Sequence, residues 1–242
     1  MDQQQSTTLK RGNDGFLIRG SEATRLEAFV DAAFAFAVTL LVVGGGDSVP
    51  TNYQDFIAAM KQVPAFAACF ANVLFFWYAH YRWSRRYGLE DLRSTLLSVM
   101  LVFVVLIYVY PLRAVYSGAI DWFSGGYFPS MFSIDSVDDL RAMFIIFGIG
   151  YASMSAIIAL LDAHALTQAD EMALSDRERF DTKSAVIAWI AGIAIAGGSI
   201  VIAALAPDMF VVVAGMFYAS FGVVMPILAI ARARQWEKLK SA

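Results

Sequence analysis

Residues 25–43 read RLEAFVDAAFAFAVTLLVV. The run from Ala28 to Val43 is apolar except for Asp31 and Thr39, and it stops at three consecutive glycines, positions 44–46. An apolar run of this kind predicts a helix that enters a bilayer. A carboxylate at the edge of a membrane span is costly to bury. Asp31 therefore either faces protein or water, or caps the start of the helix with help from the helix dipole.

The rest of the chain has the same apolar character. Hydrophobic residues make up 59% of its 242 residues and charged residues 16%, which is more apolar than a soluble domain. We predict an all-α integral membrane protein with six transmembrane helices, at about residues 28–43, 56–80, 95–116, 140–161, 184–205 and 210–231. The expected organisation is an N-terminal tail over residues 1–24, a six-helix domain over residues 25–235 and a C-terminal tail over residues 236–242.

Basic residues predict the orientation of the chain. Of its 18 Lys and Arg residues, all but Lys61, Arg113 and Arg141 fall on one side of this six-helix arrangement. The positive-inside rule therefore predicts that both termini are cytoplasmic. The opposite side carries a loop at residues 117–139 that is rich in aspartate and aromatic residues. This loop fits either a vestibule that attracts cations or an interfacial aromatic belt.

Helical spacing divides the first helix into faces. At about 100° per residue, Asp31 points away from the face that contains Phe36. Thr39 lies on the same side as Phe36, and the face itself holds Phe29, Phe36, Leu40 and Val43. These side chains could meet lipid, a neighbouring helix or the central axis of an oligomer.

The second helix carries Trp77 and His80 near its cytoplasmic end, at the predicted depth of Asp31. A buried histidine opposite a carboxylate would satisfy both groups, so we expect a hydrogen bond between His80 and Asp31, directly or through Arg25. The alternative is that Trp77 and His80 only anchor the helix end at the interface.

The sequence contains few other residues that predict a catalytic or binding role. Cys69 lies in an apolar run and predicts a packed thiol, and Asp162 with His164 predicts a solvated turn. No catalytic, metal-binding or cofactor motif is present, and a net charge of −3 gives no sign of a nucleic-acid partner. We therefore expect neither an enzyme nor a metal or cofactor site.

Two motifs resemble the transmembrane protein 175 family, the lysosomal and bacterial potassium channels. The first runs from Arg25 through Phe29-Val30-Asp31 to Thr39-Leu40-Leu41 and is similar to the family pattern R-x-x-x-F-S-D followed by T-L-L. The second is Trp77-x-x-His80, which resembles W-x-x-H, with Tyr110-Pro111 near the end of the third helix. The resemblance covers about residues 25–111. Val30 replaces the motif serine, and Phe36 replaces the usual aliphatic residue.

The resemblance implies a single-repeat bacterial channel in the plasma membrane, a homotetramer with the first helix around the axis. It implies pore-lining roles for Phe36, Thr39, Leu40 and Val43, with Phe36 as the apolar constriction. It also implies a structural network, formed by Arg25, Phe29, Asp31, Trp77 and His80.

The predicted function is passive, modestly selective potassium conduction, with potassium ions, the lipid bilayer and further copies of the chain as partners. One alternative is a secondary transporter, which needs a charged or broken-helix site near the midplane, and the sequence shows none. The other alternative is a non-conducting scaffold of the same fold, which the bulk of Phe36 makes plausible.

Overall fold

Apolar sequence forms helix throughout the described chain. The computed structural model describes residues 11–12, 14–43 and 50–241, with only the backbone for Val43. Its helices are α1 (Arg25–Val43), α2 (Tyr53–Lys61), α3 (Val63–Tyr87), α4 (Leu92–Ser124), α5 (Val137–Thr167), α6 (Asp176–Leu205), α7 (Val212–Met216) and α8 (Phe221–Ser241). Short 3-10 turns at Asp208–Phe210 and Phe217–Ser220 precede α7 and α8.

Several helices are long enough to span a membrane. Within the described ranges, five helical stretches are long and apolar enough to cross a bilayer: 53–87, 92–124, 137–167, 176–205 and 208–241. α1 adds 19 residues, about 28 Å of helix, which is close to the thickness of the hydrocarbon core. The chain is an all-α, multi-pass membrane protein, as predicted.

Polar caps and left-handed glycines set the helix ends. Each of the helices α2, α4, α5 and α6 is preceded by a polar side chain that accepts a hydrogen bond from a backbone N–H group of its first turn. These capping residues are Asn52, Asp91, Ser136 and Ser175. Gly88 and Gly125 end α3 and α4 with φ of 60° and 61°, a conformation that a residue without a Cβ adopts at little cost.

Several helices run further than predicted, because hydropathy marks only the apolar part of a helix. α4 continues past Tyr116 to Ser124, so Pro111 lies inside it rather than near its end. α6 begins at Asp176 within a charged stretch, since Ser175 and Glu178 form a capping box there. α8 extends to Ser241, so the boundary predicted at residue 235 falls within a helix.

The last span is helical along its length, with a short 3-10 segment between two α-helical parts. The 3-10 turn at Phe217–Ser220 separates α7 from α8. Two glycines beside it lie against aromatic rings: a Cβ on Gly198 would lie 2.6 Å from the Phe217 ring, and one on Gly215 would lie 2.8 Å from the Phe144 ring. These close approaches let the turn pack tightly against α6 and α5.

α1 lies at the edge of the bundle. α5 contacts α3, α4 and α6 and carries many of the buried side chains, whereas α1 packs on α3 and α4. The largest fully buried side chains include Phe76, Tyr108 and Met154. The edge position leaves one side of α1 without a partner inside the subunit.

The segment before α1 is docked rather than free. Phe16 is buried edge-on against Tyr87, with the Arg86 guanidinium 4.0 Å from the centre of its ring. The backbone N–H of Gly20 donates to the Arg85 carbonyl at 3.2 Å. The predicted tail over residues 1–24 therefore packs on the bundle in its described part, and residues 1–10 lie outside the described residues.

Candidate functional site

α1 has one buried face and one open face. The buried face packs on α3 and α4 and holds Glu27, Val30, Phe34, Ala37 and Leu41. The open face is centred on Ala32 and Thr39 and includes the half-exposed rings of Phe29 and Phe36. Apolar side chains exposed in this way meet lipid or another protein surface.

The four predicted pore-lining residues do not share one environment. Phe36 is 57% exposed, and Thr39 is exposed with its hydroxyl donating to the Ala35 carbonyl at 3.0 Å. Leu40 is partly buried and packs against the core, so it lies at the edge of the open face. The side chain of Val43 lies outside the described residues.

Asp31 is held by a tryptophan of the neighbouring helix. Nε1 of Trp77 on α3 donates to Oδ1 of Asp31 on α1 at 2.8 Å. The Trp77 ring also stacks on Tyr81, with centroids 5.6 Å apart. The bond gives the carboxylate a partner at the edge of an apolar span and fixes the rotation of α1 relative to α3.

His80 takes a different partner from the one predicted. Its Nε2 lies 2.9 Å from Oγ of Ser98 on α4, and the ring is fully buried, so it joins α3 to α4 rather than to Asp31. Arg25, the first residue of α1, is exposed, as is Phe29. The structure therefore pairs Trp77 with Asp31 and places His80 in a separate contact.

Glu27 is a buried charge that the sequence analysis did not single out. It is only 2% exposed, and its Oε1 lies 3.3 Å from Nε of Arg85 without hydrogen-bond geometry. Ser84 Oγ donates to the other carboxylate oxygen at 3.4 Å. Helical spacing places Glu27 on the same buried face of α1 as Val30 and Phe34. This pattern could have identified the buried charge from the sequence.

A second buried ion pair, which was not predicted from the sequence, joins the docked N-terminal segment to α6. Arg19 Nη1 and Nη2 donate to the two carboxylate oxygens of Glu178 at 3.0 and 3.1 Å. The backbone N–H of Leu17 donates to the same carboxylate at 2.8 Å. Both charged side chains are buried, so the pair holds the segment before α1 against the start of α6.

The opposite end of α1 is tied to α4. Arg113 Nη1 donates to the carbonyl of Leu41 at 3.1 Å, in the last turn of α1. A cation at a helix C-terminus is favoured by the helix dipole, and the last carbonyls of a helix lack partners within it. Arg113 therefore satisfies one of these groups and fixes the position of this helix end.

Asp162 and His164 are buried within α5, and the predicted solvated turn is wrong. α5 continues to Thr167, so both residues lie on helix rather than in a loop. His164 Nε2 contacts Asp91 Oδ2 at 2.8 Å, and this contact joins the end of α5 to the cap of α4. Within the described residues, no group of three His, Cys, Asp or Glu side chains could hold a metal ion.

Part of this chain is similar to a known protein family. Residues 25–111, which include Asp31, Phe36 and Trp77, match the family model described as Endosomal/lysosomal potassium channel TMEM175. A protein of Marivirga tractuosa named "Potassium channel" is 36% identical over 182 residues, covering 73% of this chain and 72% of the relative.

A solved structure matches nearly the whole fold. The crystal structure of a threonine-to-alanine variant of the potassium channel MtTMEM175, in complex with a Nanobody-MBP fusion protein, gives a TM-score of 0.79 at 28% identity. The match covers 93% of this chain and 100% of the other chain. The likeness therefore extends to the last three helices, where the sequence motifs gave only a similar helix number.

Proposed function

The chain belongs to the TMEM175 family of potassium channels, and on this basis we propose that it forms a homotetramer that conducts potassium passively along an axis lined by α1. The observation that carries the proposal is the open face of α1. Its opposite face is fully packed, so α1 is fixed in the subunit while Phe36 and Thr39 stay uncovered. Fourfold assembly around this face encloses a pathway and gives it partners.

The proposed constriction is a ring of four Phe36 side chains. An apolar ring excludes water when it is narrow, so an ion must shed part of its hydration shell to pass. The faces of the aromatic rings offset some of that cost. Because the ring offers no carbonyl oxygens in place of the lost water, the expected preference for potassium over sodium is modest.

The proposed pathway continues along α1. Thr39 offers its hydroxyl oxygen, Leu40 contributes at the edge of the open face, and Val43 follows one turn further on. The Asp31–Trp77 bond supports the pathway without entering it, because it fixes the rotation that turns Phe36 away from the bundle. Arg25, Phe29 and His80 complete the proposed structural network.

We further propose that both termini are cytoplasmic, with the six helical stretches forming the membrane domain. Support comes from the basic residues at the bundle end that contains Arg19, Arg85 and Arg86. Arg113 and Lys61 then lie towards the outside. This orientation follows the positive-inside rule.

A cysteine experiment tests the pore assignment. The native thiol, Cys69, is fully buried, so an introduced thiol on an exposed position is the main target of a water-soluble reagent. Phe36→Cys in liposomes should conduct potassium and should be blocked by a cationic methanethiosulfonate. Phe103→Cys on α4 is the matched control, since Phe103 is 59% exposed, and its flux should not change.

The same liposomes separate the channel from its alternatives. A channel gives potassium flux that scales with the gradient and needs no counter-substrate. Saturable flux that requires exchange would indicate a transporter, and no flux with potassium, sodium or caesium would indicate a scaffold. Block of both cysteine variants, or of neither, would remove α1 from the pathway.

A further inference from the structure

A cavity that is open on one side lies in the single subunit, away from α1. It has a volume of about 840 Å³ and lies between the end of α4, the start of α5 and the last span. Small-molecule sites in proteins have volumes of roughly 300–1,000 Å³. The described lining includes Asn72, Tyr116, Phe147, Tyr151, Tyr218 and Phe221, and no residue of α1.

Aromatic rings form a continuous wall. The Tyr218 ring lies 5.2 Å from Phe147 and 5.8 Å from Tyr151, measured between centroids. Tyr151 in turn lies 5.5 Å from Phe221. Ring faces carry negative charge density and attract organic cations, and quaternary ammonium groups are recognised in cages of this kind.

The polar groups of the lining point to the same class of ligand. Asp121 is the one charged residue in the described lining, and its charge is negative. Asn72 Nδ2 donates to the Tyr116 hydroxyl at 3.3 Å, which leaves Asn72 Oδ1 buried with no partner among the described residues. An unpartnered amide oxygen and a carboxylate favour a cation or a hydrogen-bond donor over an anion.

The 3-10 segment of the last span forms part of the wall. The 3-10 turn at Phe217–Ser220 contributes Tyr218, and α7 contributes Val212, Gly215 and Met216. A mid-helix stretch of 3-10 helix often marks a functional hinge or a sequence under strain.

We propose that this cavity binds a small hydrophobic organic cation within each subunit, apart from the conduction pathway. The aromatic wall takes the apolar body and the positive charge, and Asp121 completes the charge match. The site goes beyond the proposed conduction and depends on neither tetramer formation nor flux. A neutral occupant, such as a lipid acyl chain, is the competing outcome.

The test compares two isosteric probes on the purified protein in lipid nanodiscs. Phenyltrimethylammonium and tert-butylbenzene have nearly the same shape and differ in charge, so calorimetric titration against empty nanodiscs isolates the effect of charge. We expect the cation to bind measurably more tightly. Asp121→Asn should weaken it by roughly threefold to fivefold, as for a partly solvated ion pair.

A filled-cavity variant locates the site. Gly118 lines the cavity, and an added Cβ there meets no atom within 4 Å, so Gly118→Leu should occupy the space without a clash. Gly197→Leu is the control, because its Cβ is equally unobstructed and Gly197 is outside the lining. Cation binding should be abolished in the first variant and retained in the second.

The following results would overturn the proposal. Failure of phenyltrimethylammonium to bind, or undiminished binding to Gly118→Leu, would show that the cavity is not the site. Equal affinity for tert-butylbenzene, or no change in Asp121→Asn, would assign the cavity to a neutral ligand. If Gly118→Leu does not fold, the probe pair and Asp121→Asn still decide, and intact potassium flux in these variants would leave the channel assignment untouched.

Discussion

Trp77 holds Asp31 through a 2.8 Å hydrogen bond from its indole Nε1 to Oδ1 of the carboxylate. The bond joins α3 to α1 on the side where α1 is packed. Because Asp31 is turned towards α3, the rings of Phe29 and Phe36 are turned out of the subunit. The orientation of the open face therefore depends on a polar contact as well as on apolar packing.

Trp77→Phe should destabilise the protein. The variant keeps an aromatic ring but removes the donor, so a partly buried carboxylate loses its partner at a cost of about 1–3 kcal/mol. The midpoint of thermal unfolding in detergent should fall. Trp122→Phe, at an exposed position on α4, should leave it unchanged. In the double variant with Asp31→Asn the two losses should not add, and full additivity would show that the bond contributes nothing.

Phe36→Ala should raise potassium flux and reduce discrimination against sodium. Removing four rings widens the proposed constriction, so ions pass with more of their hydration shell. The measurement is the ratio of potassium to sodium flux in liposomes at matched protein density.

Phe103→Ala is the control for that change, because Phe103 has a similar exposure on a helix outside the proposed pathway. It should alter neither flux nor selectivity. A Phe36→Ala protein that assembles normally with unchanged flux and selectivity would contradict the pore assignment. Leu41→Ala is unsuitable for comparison, since Leu41 is buried in the core and its truncation leaves a cavity.

Arg19→Met should cost about 3 kcal/mol or more of stability, because it leaves the buried carboxylate of Glu178 without its ionic partner. Chemical denaturation in detergent measures the loss. Arg177→Met removes a more exposed ion pair with Asp181 and should cost less than about 1 kcal/mol. Equal losses in the two variants would show that burial of the Arg19 pair has no energetic consequence.

Stability should also depend on pH through Asp91. Burial raises the pKa of this carboxyl, but hydrogen bonds from His164 and Ser94 outweigh that effect and hold its pKa at about 2. A lowered pKa stabilises the folded state above the ordinary value of 3.8, and this contribution is lost as the pH falls towards 2.

Asp91→Asn isolates that contribution, because asparagine still caps α4 but carries no charge. Above pH 4 the wild-type protein should be more stable by no more than about 1 kcal/mol, since the carboxyl is partly exposed. The difference should disappear between about pH 4 and pH 2. A difference that persists at pH 2 would show that the charge of Asp91 is not its source.

The all-α, multi-pass membrane architecture could be predicted, because each span needs a long apolar run and few other structures tolerate one. The helix ends could not. Ser175 and Glu178 start α6 in a charged stretch, where local capping outweighs polarity. The 3-10 segment at Phe217–Ser220 has no glycine or proline within it. Gly198 and Gly215 lie against the rings of Phe217 and Phe144, and these contacts come from tertiary packing.

The polar contacts were predictable only in part. The predicted depth paired Asp31 with His80, but Asp31 accepts a hydrogen bond from Trp77, and His80 contacts Ser98 on a third helix. Arg19 and Glu178 lay in segments interpreted as tail and loop. No local pattern joins residues 159 positions apart.

The separation of Arg19 and Glu178 along the chain has a consequence for the biogenesis of the protein. A chain emerges from the ribosome N-terminus first, so Arg19 is synthesised long before Glu178. The segment carrying Arg19 can take its final position only after α3 to α5 have been inserted and the start of α6 has been made. Closure of this ion pair thus becomes possible only after the helices from α1 to α5 and the start of α6 have been made. A truncated chain that ends before Glu178 leaves the Arg19 guanidinium without its carboxylate partner.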